Sequence, residues 1–398
     1  MESNTKFALE NKLELPEGQI FDVGNLLNYL RRLTDRRKRR GIRYPLEVIL
    51  LLFILAKMCG QNKVYGIADW AQQRSAYLCP FLGLKRKRSP HHSTYRRILT
   101  EEINQDELEQ VVAEYLAQLP RSGQEVVIAL DGKTVRGTIT QEDPFGLHLL
   151  AAYLPEEGIV LMQMVVEKDK ENEIVVAPKL LASLDLRNKV VVADAMHTQR
   201  ELSLQITQAG GDYVWIVKDN QPKTRQAIEL LFAPEKPVPG LGCPSMDFQY
   251  GETKNKQAGR IEKRCITVSS MLNEYLDWPS LGQVFKLERQ FTNMATGEVT
   301  CEVQYGLTSL TAEEASPKRL LAIIRSEWGI ENGLHYRRDV TFQEDGTRMT
   351  EKRMGRAMAI INNLVISLFN HLGYDNHAQA RRVFDAHPQQ ALALLCGL

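Results

Sequence analysis

Two apolar runs in this chain close on aspartate. EVVIALDG (125–132) predicts a strand ending on Asp131, and VVVAD (190–194) predicts another ending on Asp194. A β-branched run such as Val190-Val191-Val192 reads as a buried strand, and a carboxylate at its end needs a reason. If the two strands are neighbours, the carboxylates meet at one edge, where like charges repel unless a cation lies between them. Hard oxygen ligands with open positions suit Mg²⁺ or Mn²⁺. A third acid would complete such a site. A helix over about 318–337 offers Glu331, with Glu327 one turn earlier on the same face. Each residue also has a plainer use. Asp131-Gly132 is a common turn pair, Asp194 can cap the helix that follows, and Glu331 can be a solvated helix residue. The match of two strand ends is what favours a site.

The elements around these residues change character along the chain. Residues 22–118 read as helical, with an apolar helix at 46–59, a second near 63–78 and an acidic amphipathic helix at 101–118. Leu119-Pro120-Arg121-Ser122-Gly123 reads as a linker. Beyond it, strands are expected at 125–132, 147–154, 159–167, 190–194 and 212–218, with a hairpin turn at 155–158 and helices at 173–184 and 198–209. Three antiparallel strands followed by helix–strand–helix–strand predict a mixed α/β sheet. Residues 236–310 are rich in turns, with short strands at 264–270 and 283–291. A long helix over 318–337 and a last apolar helix over 353–372 follow.

With 398 residues, the chain is long enough for two or three domains. Its 43% hydrophobic and 25% charged residues are those of a globular protein. The N-terminus has no basic segment leading into an apolar one, so no signal peptide is expected, and the apolar run at 48–56 is too short to span a bilayer. A cytoplasmic protein is expected. Six cysteines, none in a C-x-x-C pair, read as reduced core residues rather than a zinc site. The net charge of +1 hides an asymmetry: residues 31–97 hold seventeen Lys or Arg against three acids. Arg36, Arg37, Lys38, Arg39, Arg40 and Arg43 form one cluster. Lys85, Arg86, Lys87, Arg88, Arg96 and Arg97 form another. Two such runs flanking an apolar helix favour phosphate contact over a merely solvated face, though phosphate contacts alone leave open which bases are read.

The order Asp, Asp, Glu on first strand, fourth strand and late helix resembles the ribonuclease-H-like catalytic core. The wording RRGIRYPL (39–46), IALDGKTVRG (128–137), NEIVVAPKLL (172–181), VVVADAMHTQ (190–199), DYVWIVKDNQP (212–222), GRIEKR (259–264) and WGIENGLHYRRDVTFQED (328–345) resembles the DDE-class insertion-sequence transposases of the H-repeat-associated group. These stretches cover nearly the whole chain in family order. Glu327 stands where that group has histidine before the tryptophan, Ala258 where it has histidine, Tyr336 where it has tryptophan and Arg338 where it has leucine.

The resemblance implies a triad of Asp131, Asp194 and Glu331 holding two Mg²⁺ or Mn²⁺ ions, with Asp131 shared between them. It implies cleavage and strand transfer of double-stranded DNA at insertion-sequence ends, by a bacterial protein that is nucleoid-associated when bound and assembles as a homodimer on DNA. The organisation it implies is a helical basic domain over 1–121, a catalytic domain over 122–235 completed by 313–398, and a mostly β insertion over 236–312. His197 lies one turn past Asp194, where it could position water or phosphate or simply bond locally. Lys133, Arg136, Lys218 and Arg338 are further candidates for phosphate contact, and Trp215 reads as core. The alternatives are a catalytically silent DNA-binding protein derived from a transposase, and a ribonuclease-H-like nuclease that cuts without joining.

Overall fold

The structure, a computed structural model, describes residues 25–40, 42–119, 126–167, 171–233, 246–257 and 259–397. Among the described residues, six α-helices precede the first strand: α1 (Leu26–Leu30), α2 (Leu46–Met58), α3 (Val64–Gln73), α4 (Ser75–Phe81), α5 (His92–Arg97) and α6 (Gln105–Ala117). A wide π turn, Ile98–Glu102, extends α5. Apart from Glu47, every residue of α2 is buried, as its unbroken apolar sequence requires. The helix expected near 63–78 breaks at Arg74, where the Ser75 hydroxyl donates to Gln72 O. Such local side-chain bonds compete with the helical ladder.

The sheet begins with β1 (Val126–Val135), β2 (Leu147–Leu154) and β3 (Ile159–Val166). Then come α7 (Glu173–Ala182), β4 (Lys189–Ala193), α8 (Arg200–Gln208), β5 (Asp212–Val217) and α9 (Pro222–Leu231). β1 to β3 pair antiparallel, β4 lies parallel to β1, and β5 parallel to β4. The order β3-β2-β1-β4-β5 is the ribonuclease-H-like arrangement expected from the sequence.

Four further strands, β6 (Gln249–Gln257), β7 (Arg260–Ser269), β8 (Gln283–Asn293) and β9 (Val299–Thr308), do not form a separate layer. β9 pairs antiparallel with β5, so they extend the same sheet to nine strands, with β6 at the outer edge. β6 and β9 are not among the strands expected in this segment, and β7 and β8 run longer than expected. The polar sequence QYGETKNKQ of β6 suits an edge, where lysines discourage pairing with another chain.

The chain ends in α10 (Pro317–Ser326), α11 (Trp328–Ile330), α12 (Lys352–His371), α13 (His377–Ala386) and α14 (Pro388–Cys396). The regular helix expected over 318–337 is not regular. After α11 the backbone widens into two π turns, Glu331–His335 and Arg337–Thr341. Gly329 and Gly333 are poor helix formers, and the Asn332 side chain donates to Trp328 O. Gly333 also permits close approach to β2: a Cβ there would lie 2.4 Å from the Tyr153 hydroxyl.

α10 packs on β1, β5, β6 and β7, and α6 and α12 on β3, while α8 packs on β5 and α9 on β8 and β9. α2 is enclosed by α1, α3, α12, α13 and α14, so the first and last described helices build one helical mass. Among the described residues no helix is long and apolar enough to cross a membrane. Cys59, Cys79 and Cys396 are buried and free as expected, whereas Cys301 is exposed and Cys265 half-buried. Cys243 and the linker residues 120–123 lie outside the described residues.

Candidate active site

The parallel register of β1 and β4 ends with Leu130 opposite Ala193. The next residues, Asp131 and Asp194, therefore emerge side by side where β4 stops. β1 does not end at Asp131 as predicted. From Asp131 to Val135 it continues to pair with β2 alone, which leaves its other edge without a strand partner among the described residues.

Asp194 leaves β4 into a tight turn, Ala195–His197. Its Oδ1 accepts from Ala195 N at 2.7 Å and from Lys218 Nζ at 3.3 Å. The capping use and the site use of this carboxylate thus coexist. Glu331 opens the first π turn, and its Oε2 lies 3.2 Å from His335 Nδ1. The same nitrogen lies 3.3 Å from Asp131 Oδ2. Asp131, Glu331 and His335 offer one donor atom each within 4.8 Å of one another.

Asp131, Asp194, Glu327, Glu331 and Lys218 line one cavity of about 440 Å³. Trp328 and the insertion's Arg264, Arg289 and Gln304 also line it. Arg289 is held by Glu262 and Glu302 at 3.4 Å each, and its guanidinium lies 5.6 Å from the Trp328 ring centre.

Four carboxylates around one cavity strain the local charge balance. Burial, and then Asp194 and Asp131, push the Glu327 carboxyl up to about 7. The hydrogen bond from His335 holds Glu331 below the ordinary carboxylate value. Burial works to lower His335, but its bonds to Asp131 and Glu331 outweigh that and raise it. Protons on Glu327 and His335, or divalent cations, are the ways to relieve this excess of negative charge. The oxygen-rich donor set fits a hard divalent cation.

The other residues singled out in the sequence are placed variously. Lys218 stands beside Asp194 in the cavity. Lys133 shares the Asp131 face of β1 but is 9% exposed, paired with Asp339 at 2.7 Å and Asp345 at 3.8 Å, so it pins the second π turn. Arg136 is exposed, 3.7 Å from Asp345 and away from the cavity lining. His197 is 1% exposed and turned to Glu173, which also takes His148 at 2.8 Å. Gly132 faces that Glu173, so His197 serves the sheet face opposite Asp131. Arg338 is fully buried and bonded to Glu344, which excludes it from phosphate contact in this conformation. Trp215 is core, its indole donating to the Ser203 hydroxyl. Ala258 lies outside the described residues. His335 is a site residue marked in the sequence only by its i+4 spacing from Glu331.

In the helical module, the Tyr44 hydroxyl donates to Arg88 O at 2.9 Å, so the two basic runs abut. Arg36, Lys38, Arg39, Arg40, Arg43, Lys85, Arg86, Lys87, Arg88, Arg96 and Arg97 are exposed. Arg37 is the exception. It folds inward onto Asp35 and Tyr44 O and is largely buried, so it braces the loop instead of meeting solvent.

Comparison with known proteins finds a family for the chain. Residues 27–116 match the family model described as DDE_Tnp_1-associated, and residues 122–368 match the one described as Transposase DDE domain. The chain is 27% identical over 359 residues to "H repeat-associated putative transposase YhhI" of Escherichia coli (strain K12), covering 88% of this chain and 91% of that one. It is 29% identical over 352 residues to "Putative transposase YncI" of Escherichia coli O157:H7, covering 86% and 85%. Among solved structures, a piggyBac transposase synaptic complex with hairpin DNA aligns over 94% of this chain and 79% of that one, at 11% identity and a TM-score of 0.47.

Proposed function

The chain belongs to the family of transposases with a DDE domain, enzymes that act on DNA, and on that premise we propose that Asp131, Asp194 and Glu331 hold the divalent cations for its chemistry. The reaction is cleavage at insertion-element ends and transfer of the freed 3′ end to target DNA. The observation that carries this reading is the β1–β4 register, which brings Asp131 and Asp194 off neighbouring strands into the cavity that Glu331 also lines.

Bound there, Mg²⁺ or Mn²⁺ supplies Lewis-acid stabilisation of the attacking and leaving oxygens of an in-line phosphoryl displacement. The protein's own groups do the rest. Lys218, Arg264 and Arg289 line the cavity with cations suited to the backbone phosphates flanking the scissile bond. Exposed cations of residues 36–43 and 85–97 hold the duplex through phosphates. In this reading residues 1–121 anchor DNA, residues 122–235 with 313–398 carry the chemistry, and the insertion over 236–312 forms one wall of the cavity. Joining two element ends calls for two copies, so a homodimer on DNA belongs to the same reading.

The test is 3′-end nicking of labelled DNA carrying the element's own ends. We expect nicks with Mg²⁺ or Mn²⁺, none with chelator, and none from Glu331→Gln. Equal nicking by Glu331→Gln would remove Glu331 from the site.

A separate measurement addresses the basic module. Arg39→Glu with Arg40→Glu should weaken binding to every duplex sequence alike and flatten its salt dependence by roughly 0.9 log unit per lost phosphate contact. An unchanged slope would make these runs only a solvated surface. Arg37→Glu should instead lower thermal stability, because it puts a second acid beside Asp35.

A further inference from the structure

Three donors on two elements face one point between β1 and the π turn: Asp131 Oδ2, Glu331 Oε2 and His335 Nδ1. His335 Nδ1 is 3.3 Å from the first oxygen and 3.2 Å from the second. Those spacings are long for charge-assisted hydrogen bonds, which run about 2.7–2.9 Å. They match the edge of an octahedron: two donors about 2.1–2.2 Å from a common ion and at right angles lie roughly 3 Å apart.

His335 is 4% exposed, so its ring cannot swing away into solvent. Its other nitrogen, Nε2, has no hydrogen-bond partner among the described residues. Without an ion the two carboxylates favour the ring proton on Nδ1, and a cation at that point would take the proton's place. With the proton on Nε2, Nδ1 presents a lone pair to the point the two oxygens face. The widened π turn is what sets Glu331 and His335 toward the same strand residue, as such turns often do at functional sites.

We propose that His335 Nδ1 is a protein ligand of the ion that Asp131 and Glu331 hold, and that this nitrogen shifts the site's preference from Mg²⁺ toward Mn²⁺. The inference rests on the functional reading above and adds a residue and a metal preference to it. Mg²⁺ favours an all-oxygen octahedron and parts with its waters reluctantly. Mn²⁺ shares the preference for oxygen ligands, but as a first-row transition ion it accepts a nitrogen donor more readily than Mg²⁺ does.

The experiment loads the full-length protein with one equivalent of Mn²⁺ and records pulsed electron paramagnetic resonance. The wild type should show ¹⁴N modulation from a directly bound imidazole, and His335→Gln should lose it. By titration, Mn²⁺ affinity should fall by more than about tenfold in His335→Gln, against a smaller fall for Mg²⁺. A thermal melt of each variant confirms that it is folded, and the wild-type spectrum decides the question even if the variant is not. Bound Mn²⁺ without nitrogen modulation in wild type, with nicking intact, overturns His335 as a ligand and leaves the functional reading standing. Failure of the wild type to bind either metal overturns both.

Discussion

Asp194→Asn should leave the protein folded and able to hold DNA, yet unable to nick it. Asparagine keeps the size and the Oδ1 acceptor that Ala195 N uses at 2.7 Å, and it caps about as well as aspartate. The 3.3 Å contact with Lys218 is lost, but both side chains are more than half exposed, and such pairs contribute little. What asparagine removes is the charge, and with it much of the affinity for a hard cation. Losing a supporting partner of a bound metal costs about 10–100-fold, so loss of a direct ligand should exceed about a hundredfold in nicking rate. Thermal melts and gel-shift binding of wild type and variant should coincide while nicking in Mg²⁺ or Mn²⁺ separates them. Equal nicking would reduce Asp194 to a cap.

Arg338→Ala should destabilise the fold by about 3–5 kcal/mol, the cost of leaving a buried charge without its partner. For a chain of this length that is a fall in Tm of roughly 5 °C. Arg338 and Glu344 are both fully buried, with Nη2 and Oε2 2.6 Å apart. Burial pushes the Glu344 carboxyl up, but Arg338's charge and hydrogen bonds from Arg338 and Asn362 pull it below the ordinary value. Asn362 also accepts from Lys57 Nζ at 2.7 Å, and among the described residues Asn362 is the only hydrogen-bond partner the Glu344 carboxylate would keep. The double variant Arg338→Met with Glu344→Met should recover much of the loss, because it leaves no lone charge. A phosphate-contact role predicts the reverse pattern: unchanged Tm and weakened DNA binding.

These two residues mark what a linear reading could and could not reach. Asp194 was legible because its strand, Lys189–Ala193, announces itself by β-branching and stops at the carboxylate. Asp131 was legible as a residue but not as a position. Its strand runs on to Val135 because β2 is long enough to keep pairing after β4 has ended, a fact of two other segments. The insertion's turns were visible, but the pairing of β9 with β5 that merges it into the main sheet is not encoded in either strand alone. Arg338 and Arg37 look like their exposed neighbours in sequence. Their burial depends on Glu344 and Asn362 for one, and on the Tyr44 carbonyl for the other. His197 follows the same logic, since Glu173 claims it from 24 residues away.

The enclosure of α2 by α13 and α14 has a genetic consequence. The segment from His377 onward lines neither the cavity nor the basic runs, so it looks expendable. Yet it covers the buried helix around which the basic loops are folded. A frameshift or stop codon just before residue 377 would strip that cover and, where the basic loops hold DNA as proposed, disable DNA capture by a module some three hundred residues earlier. In this protein a late truncation should be as damaging as an early one, and copies that keep only the three proposed metal-binding carboxylates intact should not be counted as functional.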